Sequence, residues 1–351
     1  MLNVVMIFLW ASLLLYLLMG GADFGAGILE LFTKKENRPR TRYTLYKAIG
    51  PIWEANHMWL IIAIVILFVG FPEIYTTMSV SLHIPLTIML LGIIARGTAF
   101  AFRHHDPVVD DMQKLYNGVF VISSVLTPFS LGVIAGSAVS STIDTEAKTF
   151  ADAYIFSWLN AFSVAVGLFT VTICGYLAAV YLIGETDNAT DRKRFIAKAK
   201  TTSIAAFICG TFVFITATLQ GIPLANWIFG SLVGVLAISL ASLSFLVQWY
   251  YLYKNGTHNL LRLLAGFQVS MILLTITYRH FPNIVLLKNG KTLSLLEHHG
   301  HEKTIESLGW ALIIGSIFIL PALFYLLYSF RHKPKIIIQQ EVNKSSNKHP
   351  Q

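Results

Sequence analysis

Met19-Gly20-Gly21-Ala22-Asp23-Phe24-Gly25-Ala26-Gly27 sets one carboxylate among four glycines, inside an apolar run that covers residues 3–32. An ionisable side chain within a membrane helix costs about 2.5–3.5 kcal/mol or more, so it faces a protein interior or water and takes a partner. Glycines let a neighbouring backbone approach closely, and Gly21-x-x-x-Gly25 is the small-residue spacing of tight helix contacts. Helix packing is therefore the expected work of Gly20, Gly21, Gly25 and Gly27, with Asp23 as a buried functional carboxylate. The plainer alternative is a packing motif in which Asp23 only bonds locally. Asn, Ser or Ala would serve that purpose without the cost of a charge.

Working outward, the 351 residues are 55% hydrophobic and 13% charged, which excludes a soluble protein. Several apolar runs exceed the roughly 20 residues that cross a bilayer core. They lack the alternation of a barrel strand, so an all-α integral membrane bundle is expected. The net charge of +8 is concentrated in particular loops and reports topology, not nucleic-acid binding. Cys174 and Cys209 lie in apolar runs without a metal-binding spacing and read as inert small residues. The first run has no basic segment before it and no small-residue cleavage site, so it reads as a retained helix.

Nine spans are expected, at about 3–32, 51–71, 79–102, 116–139, 154–183, 202–221, 225–253, 259–280 and 308–330. Their connections alternate in charge. Residues 33–50 carry Lys34, Lys35, Arg38, Arg40, Arg42 and Lys47 against Glu36, whereas Phe71-Pro72-Glu73-Ile74-Tyr75 has no basic residue. Arg103 and Lys114 flank the third connection, and Asp144, Glu146 and Asp152 outweigh Lys148 in the fourth. The fifth holds Arg192, Lys193, Arg194, Lys198 and Lys200, and Arg331, Lys333 and Lys335 follow the last span. The positive-inside rule then puts the N-terminus outside and the C-terminus in the cytoplasm. Spans 1–4 (residues 1–140) and 5–8 (150–281) are expected to form two four-helix bundles, with the ninth helix at 308–330 added. The single membrane domain covers 1–335, and the polar tail 336–351 is expected to be disordered.

Depth estimates bring the polar residues of the first three spans to one level. Asp23 lies roughly 12–15 Å from the cytoplasmic end of its span. Glu30 follows at i+7 on the same face. The second span opens with Gly50-Pro51-Ile52-Trp53-Glu54-Ala55-Asn56-His57-Met58-Trp59, with Pro51 suited to a first turn and Glu54 and His57 sharing a face at i+3. In the third, Arg96 falls about 10 Å before the boundary, with Arg103 two turns on along the same stripe. These groups suggest a polar pocket open to the cytoplasm that passes protons, with Arg96 and Arg103 as electrostatic partners of carboxylates. The alternatives are a helix N-terminal acid for Glu54, an interfacial histidine for His57 and a snorkelling side chain for Arg96.

No span carries a mid-membrane histidine pair suited to haem, and no phosphate loop, Ser/His/Asp set or Cys-based metal site occurs. No metal, cofactor or catalytic electron-transfer residue is expected in this chain. Glu297-His298-His299-Gly300-His301-Glu302 reads as a solvated loop that binds transition metals adventitiously at most.

Gly20–Gly27, Gly50–Leu60, Phe71–Tyr75 and Arg96-Gly97-Thr98-Ala99-Phe100-Ala101-Phe102-Arg103 closely resemble subunit II of the cytochrome bd-type quinol oxidases. Outside residues 20–103 the likeness is one of length, span number and hydropathy. The resemblance implies a multi-pass subunit of a terminal oxidase in the bacterial plasma membrane, which oxidises quinol and reduces dioxygen to water. It also implies a haem-bearing subunit I as heterodimer partner, ligating two b-type haems and one d-type haem. The carboxylates matching Asp23 and Glu54 then belong to a proton route from the cytoplasm. Glu54 stands where many members have Asp, one methylene shorter. Small single-span subunits, a bound quinone in this chain and the identity of the quinol stay open.

Two other classes compete. A self-contained secondary transporter also carries buried Asp, Glu and Arg, but it favours inverted repeats and interrupted helices meeting at the midplane. A purely structural assembly subunit is the other.

Overall fold

The computed structural model describes residues 1–50, 52–105, 111–186, 188–254 and 258–331. Pro51 and the tail 336–351 lie outside the described residues. Among them, nine helices are long and apolar enough to cross a membrane: α1 Leu2–Leu31, α2 Trp53–Gly70, α3 His83–Arg103, α4 Asp111–Val139, α5 Ala161–Ile183, α6 Ala189–Leu219, α7 Leu232–Tyr253, α8 Asn259–His280 and α9 Glu302–Leu326. Lipid offers the backbone no hydrogen bonds, and a helix satisfies every amide within its own segment.

Several ends differ from the sequence expectation, and short polar side chains explain most of the differences. α5 starts at Ala161, not near 154, because Asn160 accepts from Ser163 N at 2.9 Å and starts the helix there. α6 starts thirteen residues before the expected 202, because Asn188 accepts from Thr190 N and Asp191 N. Its first turns are basic, so hydropathy passes over them. The seventh expected span is broken at Gly230: Leu224–Phe229 is a separate short helix, and Ser231 caps α7 through Gly234 N. The connection after α1 is not a plain loop but holds the helix Arg38–Ile49, and Pro72 opens a further helix, Pro72–Ser81. Within α1 the chain widens into one π-helical turn at Tyr16–Gly20, just before the glycine motif.

α1 is shared along its length. Its Leu2–Leu15 part packs on α2 and α9, and its Gly21–Leu31 part packs on α4 and α5. α3 lies on α4, α4 on α5, α5 on α6 and α7 on α8, with α8 also reaching α5. α9 is peripheral, with Trp310, Ile314, Ile317, Phe318, Leu320 and Phe324 all exposed. At the end of the bundle remote from Lys34 and Arg192, a hairpin pairs Asn283–Leu286 with Thr292–Ser294, antiparallel, with Asn283 opposite Ser294. His298 Nδ1 meets the Ser294 backbone, and Gly300 N donates to Gly70 O at 2.8 Å, so the histidine tract is tied to the α2 end.

Candidate functional site

The polar groups of α1 and α3 meet as two ion pairs, one above the other. Arg96 Nη1 donates to Asp23 Oδ2 at 2.7 Å and Nη2 to Oδ1 at 2.8 Å, the parallel fork that suits a guanidinium and a carboxylate. Nη2 also donates to the Asp23 carbonyl at 2.8 Å, and Nε to Ser124 Oγ of α4 at 3.0 Å. Asp23 and Arg96 are each 1% exposed, so both charges depend on each other. Removing one member of such a buried pair costs about 3–5 kcal/mol, because the other charge is left uncompensated.

Two turns further along both helices, Arg103 Nη1 donates to Glu30 Oε2 at 2.9 Å, and Arg42 Nε donates to Glu30 Oε1 at 2.5 Å. Both α1–α3 pairs join residues 73 apart in sequence. Each helix advances seven residues between pairs, which returns the side chain to the same face. The Phe120 ring of α4 receives both guanidiniums, Arg103 Cζ at 4.3 Å and Arg96 Cζ at 4.9 Å from its centre. An aromatic face attracts a cation, so Phe120 supports both arginines without offering a proton site.

His57 of α2 completes the upper pair. Its Nε2 stands 3.5 Å from Asp23 Oδ2, and its ring packs among Phe24, Tyr16 and Trp53 at centroid distances of 5.5, 6.0 and 6.4 Å. Close helix approach sets this geometry. A Cβ on Gly25 would strike the backbone carbonyl of Cys174 on α5, and one on Gly27 would strike Ser124, the residue that holds Arg96 Nε. A Cβ on Gly21 would make only ordinary contact with Cys174 Sγ and Leu177, whereas one on Gly20 would strike the Tyr16 ring of its own helix.

Glu54 does not join this cluster. It is exposed on the side of α2 that also carries Ile61, Val65 and Phe68, and no partner for it occurs among the described residues. The i+3 step to His57 leaves the two side chains about 60° apart around the axis. The edge of the exposed arc, which holds Ile61, Val65 and Phe68, falls between them, and His57 is half-buried. Asp23, Glu30, His57, Arg96 and Arg103 are thus brought together, and Glu54 faces away.

Sequence reasoning missed Tyr16, Arg42, Phe120 and Ser124. In the sequence Arg42 signals only topology, and the other three carry no signal in an apolar run. It also missed a second buried set, from α5, α7 and α8. Tyr176 Oη donates to Gln268 Oε1 at 2.7 Å and bonds Gln248, while Gln268 Nε2 donates to Gln248 Oε1 at 2.8 Å and to Ser244 Oγ at 3.3 Å. Two amides inside apolar spans were the available signal. This set is neutral, so the buried ion pairs of the site belong to α1 and α3. Among the described residues no group of three or more His, Cys, Asp or Glu side chains is arranged to hold a metal ion.

The family model for cytochrome bd terminal oxidase subunit II matches residues 1–330. The chain is 31% identical over 191 residues to cytochrome bd ubiquinol oxidase subunit 2 of Bacillus subtilis, a match covering 51% of this chain and 55% of that protein. It is 25% identical over 214 residues to cytochrome bd-I ubiquinol oxidase subunit 2 of Escherichia coli, covering 58% and 54%. These matches span about half the length of either relative. In fold, the chain is similar to a chain of the bd oxidase from Geobacillus thermodenitrificans, with TM-score 0.74 and 18% identity over 94% of this chain and 100% of that one.

Proposed function

The chain belongs to the family of subunit II of the cytochrome bd terminal oxidases, and from that membership we propose that it serves as the haem-free membrane subunit of a quinol:dioxygen oxidoreductase. In this reading a partner subunit I carries the two b-type haems and the d-type haem, and the complex oxidises quinol and reduces dioxygen to water. The N-terminus faces outward and the basic connections face the cytoplasm. The two four-helix sets with α9 appended form the membrane body on which the haem subunit rests.

The second element of the proposal is a proton route from the cytoplasmic end through Glu30, His57 and Asp23, with Glu54 joining it from the partner side. The observation that carries it is the meeting of Asp23 Oδ2 with Arg96 Nη1 at 2.7 Å and with His57 Nε2 at 3.5 Å. Placing a proton on Asp23 displaces an Arg96 N–H from a two-bond fork, so His57 Nε2 is the group suited to take it up while the ion pair stays charged. A purely structural role is the second reading, favoured by the full pairing of Asp23 and by the position of Glu54 off the cluster.

Purification of the complex through a tag on this chain tests the assignment. The expected result is a haem spectrum, a second multi-span subunit and quinol-dependent oxygen consumption. Stoichiometric haem on the isolated polypeptide would overturn it.

A further inference from the structure

His57 uses one ring nitrogen toward Asp23 and has a second that is buried. Neither His57 Nδ1 nor Tyr16 Oη has a hydrogen-bond partner among the described residues, and both atoms are buried. Tyr16 as a whole is 5% exposed. Their rings face one another at 6.0 Å between centres, tilted by 53°. A buried hydroxyl or imidazole nitrogen without a partner costs about 1–3 kcal/mol, so two such atoms on facing rings call for a shared third group.

Local structure puts Tyr16 there. It opens the π-helical turn Tyr16–Gly20, a feature that re-aims side chains within a helix and is frequent at functional positions. Its ring covers Gly20, where a Cβ would come within 2.8 Å of ring carbon Cε2. The hydroxyl is thereby held beside α2. Phe24, Trp53 and Trp59 surround the two rings with apolar surface, and the buried Trp59 Nε1 is likewise without a partner. A group that can both donate and accept, and is small enough for such a site, is water.

We propose that an ordered water molecule bridges His57 Nδ1 and Tyr16 Oη, and that Tyr16 is a positioning residue that holds this water as acceptor of the His57 proton. The inference rests on the proton reading above and extends it by one station. A proton entering at Nε2 converts the imidazole, hydrogen on Nδ1, into the imidazolium. The Nδ1 hydrogen then passes to the water, giving hydronium and the neutral ring with hydrogen on Nε2. One proton enters and one leaves. Tyr16 lies seven residues before Asp23, so the polar file runs on by about 10 Å toward the middle of the span.

The test compares Tyr16→Phe with Asp23→Asn in the purified complex, with haem content, oxygen consumption and the solvent deuterium isotope effect measured together. Tyr16→Phe keeps the ring on Gly20 and removes only the hydroxyl. The expected result is full haem, a roughly fivefold fall in turnover, equivalent to about 1 kcal/mol at tenfold per 1.36 kcal/mol, and a larger isotope effect. Lost packing alone does not raise the isotope effect. Parent turnover in Tyr16→Phe beside slow turnover in Asp23→Asn overturns this inference and leaves the proton reading in place. Parent turnover in both overturns the reading itself. If Tyr16→Phe loses haem, a high-resolution map of the parent complex decides: density within hydrogen-bond distance of both atoms supports the bridge, and its absence overturns it.

Discussion

Asp23 and Arg96 meet through two parallel hydrogen bonds of 2.7 and 2.8 Å, and Arg96 has no other carboxylate partner among the described residues. Nearly all of its hydrogen-bonding capacity is spent on α1 and on Ser124. Arg96 is thus the bolt between α1, α3 and α4, whatever else the site does. Arg96→Leu should lower the stability of the complex by about 3–5 kcal/mol, since it leaves Asp23 as an uncompensated buried anion. The double variant Asp23→Leu with Arg96→Leu should regain most of that loss, because the charge to be compensated disappears with its partner. Thermal unfolding followed by haem absorbance measures both; a double variant no better than Arg96→Leu would contradict the pairing account.

Gly25 and Gly118 make a matched test of close approach. A side chain at Gly25 meets the Cys174 carbonyl, whereas one at Gly118 meets nothing within 4 Å. Gly118→Ala should be neutral or stabilising by up to about 1 kcal/mol, as helix propensity predicts. Gly25→Ala should push α1 off α5 and reduce the yield of assembled complex. Equal yields from the two variants would mean that α1 and α5 do not cross at Gly25.

Asp144 ties the loop before α5 to the hairpin. Its carboxylate accepts from Lys288 Nζ at 3.0 Å and from Glu146 N at 3.1 Å, and these bonds hold it below the usual carboxylate range. A carboxyl depressed in the folded state adds stability that is fully present above its unfolded value, about 3.9, and is lost as pH falls through the lower folded value. Amide exchange at Lys288, whose N–H bonds Ile143 O at 2.9 Å, should therefore lose protection on acidification below about pH 4. In Asp144→Asn that acid-dependent loss should vanish.

Topology has its own readout. Cysteines introduced at Lys35 and Arg192, both at the basic end, should label only when the reagent reaches the cytoplasm. One at Asn289, in the hairpin turn, should label in intact cells. Labelling of all three from outside would reverse the orientation.

The nine helices were legible because each holds an apolar run of membrane length. The Asp23–Arg96 level was legible because an i+7 step repeats on α1 and α3 and depth follows from rise per residue. Helix starts at Ala161 and Ala189 were not, since Asn160 and Asn188 are small polar residues with many other uses. The π-helical turn at Tyr16–Gly20 has no signature in Tyr-Leu-Leu-Met-Gly. The exposure of Glu54 was also hidden: an azimuth of about 60° separates it from His57, and the packing of α2 on α1 decides which of them is covered.

That geometry sharpens the test of proton traffic. Asp23→Asn and Glu54→Gln both keep size and hydrogen-bonding groups while removing the titratable carboxyl. If protons pass here, each should lower quinol-driven oxygen consumption with haem content retained, and electron entry from quinol should be much less affected. The two variants should differ in their effect on the fold. Glu54 has no partner among the described residues, so Glu54→Gln should leave the stability of this chain unchanged within about 0.5 kcal/mol, as for a substitution away from core and network. Asp23→Asn leaves Arg96 as a buried cation facing a neutral amide and should destabilise the complex. A second change, Arg96→Gln on Asp23→Asn, removes that strain and separates lost charge balance from lost proton delivery. If the paired variant regains stability yet turns over slowly, the carboxyl itself is needed for proton delivery. Full haem and parent oxygen consumption in Asp23→Asn and in Glu54→Gln would instead sink the relay and leave the structural role of the Asp23–Arg96 bolt.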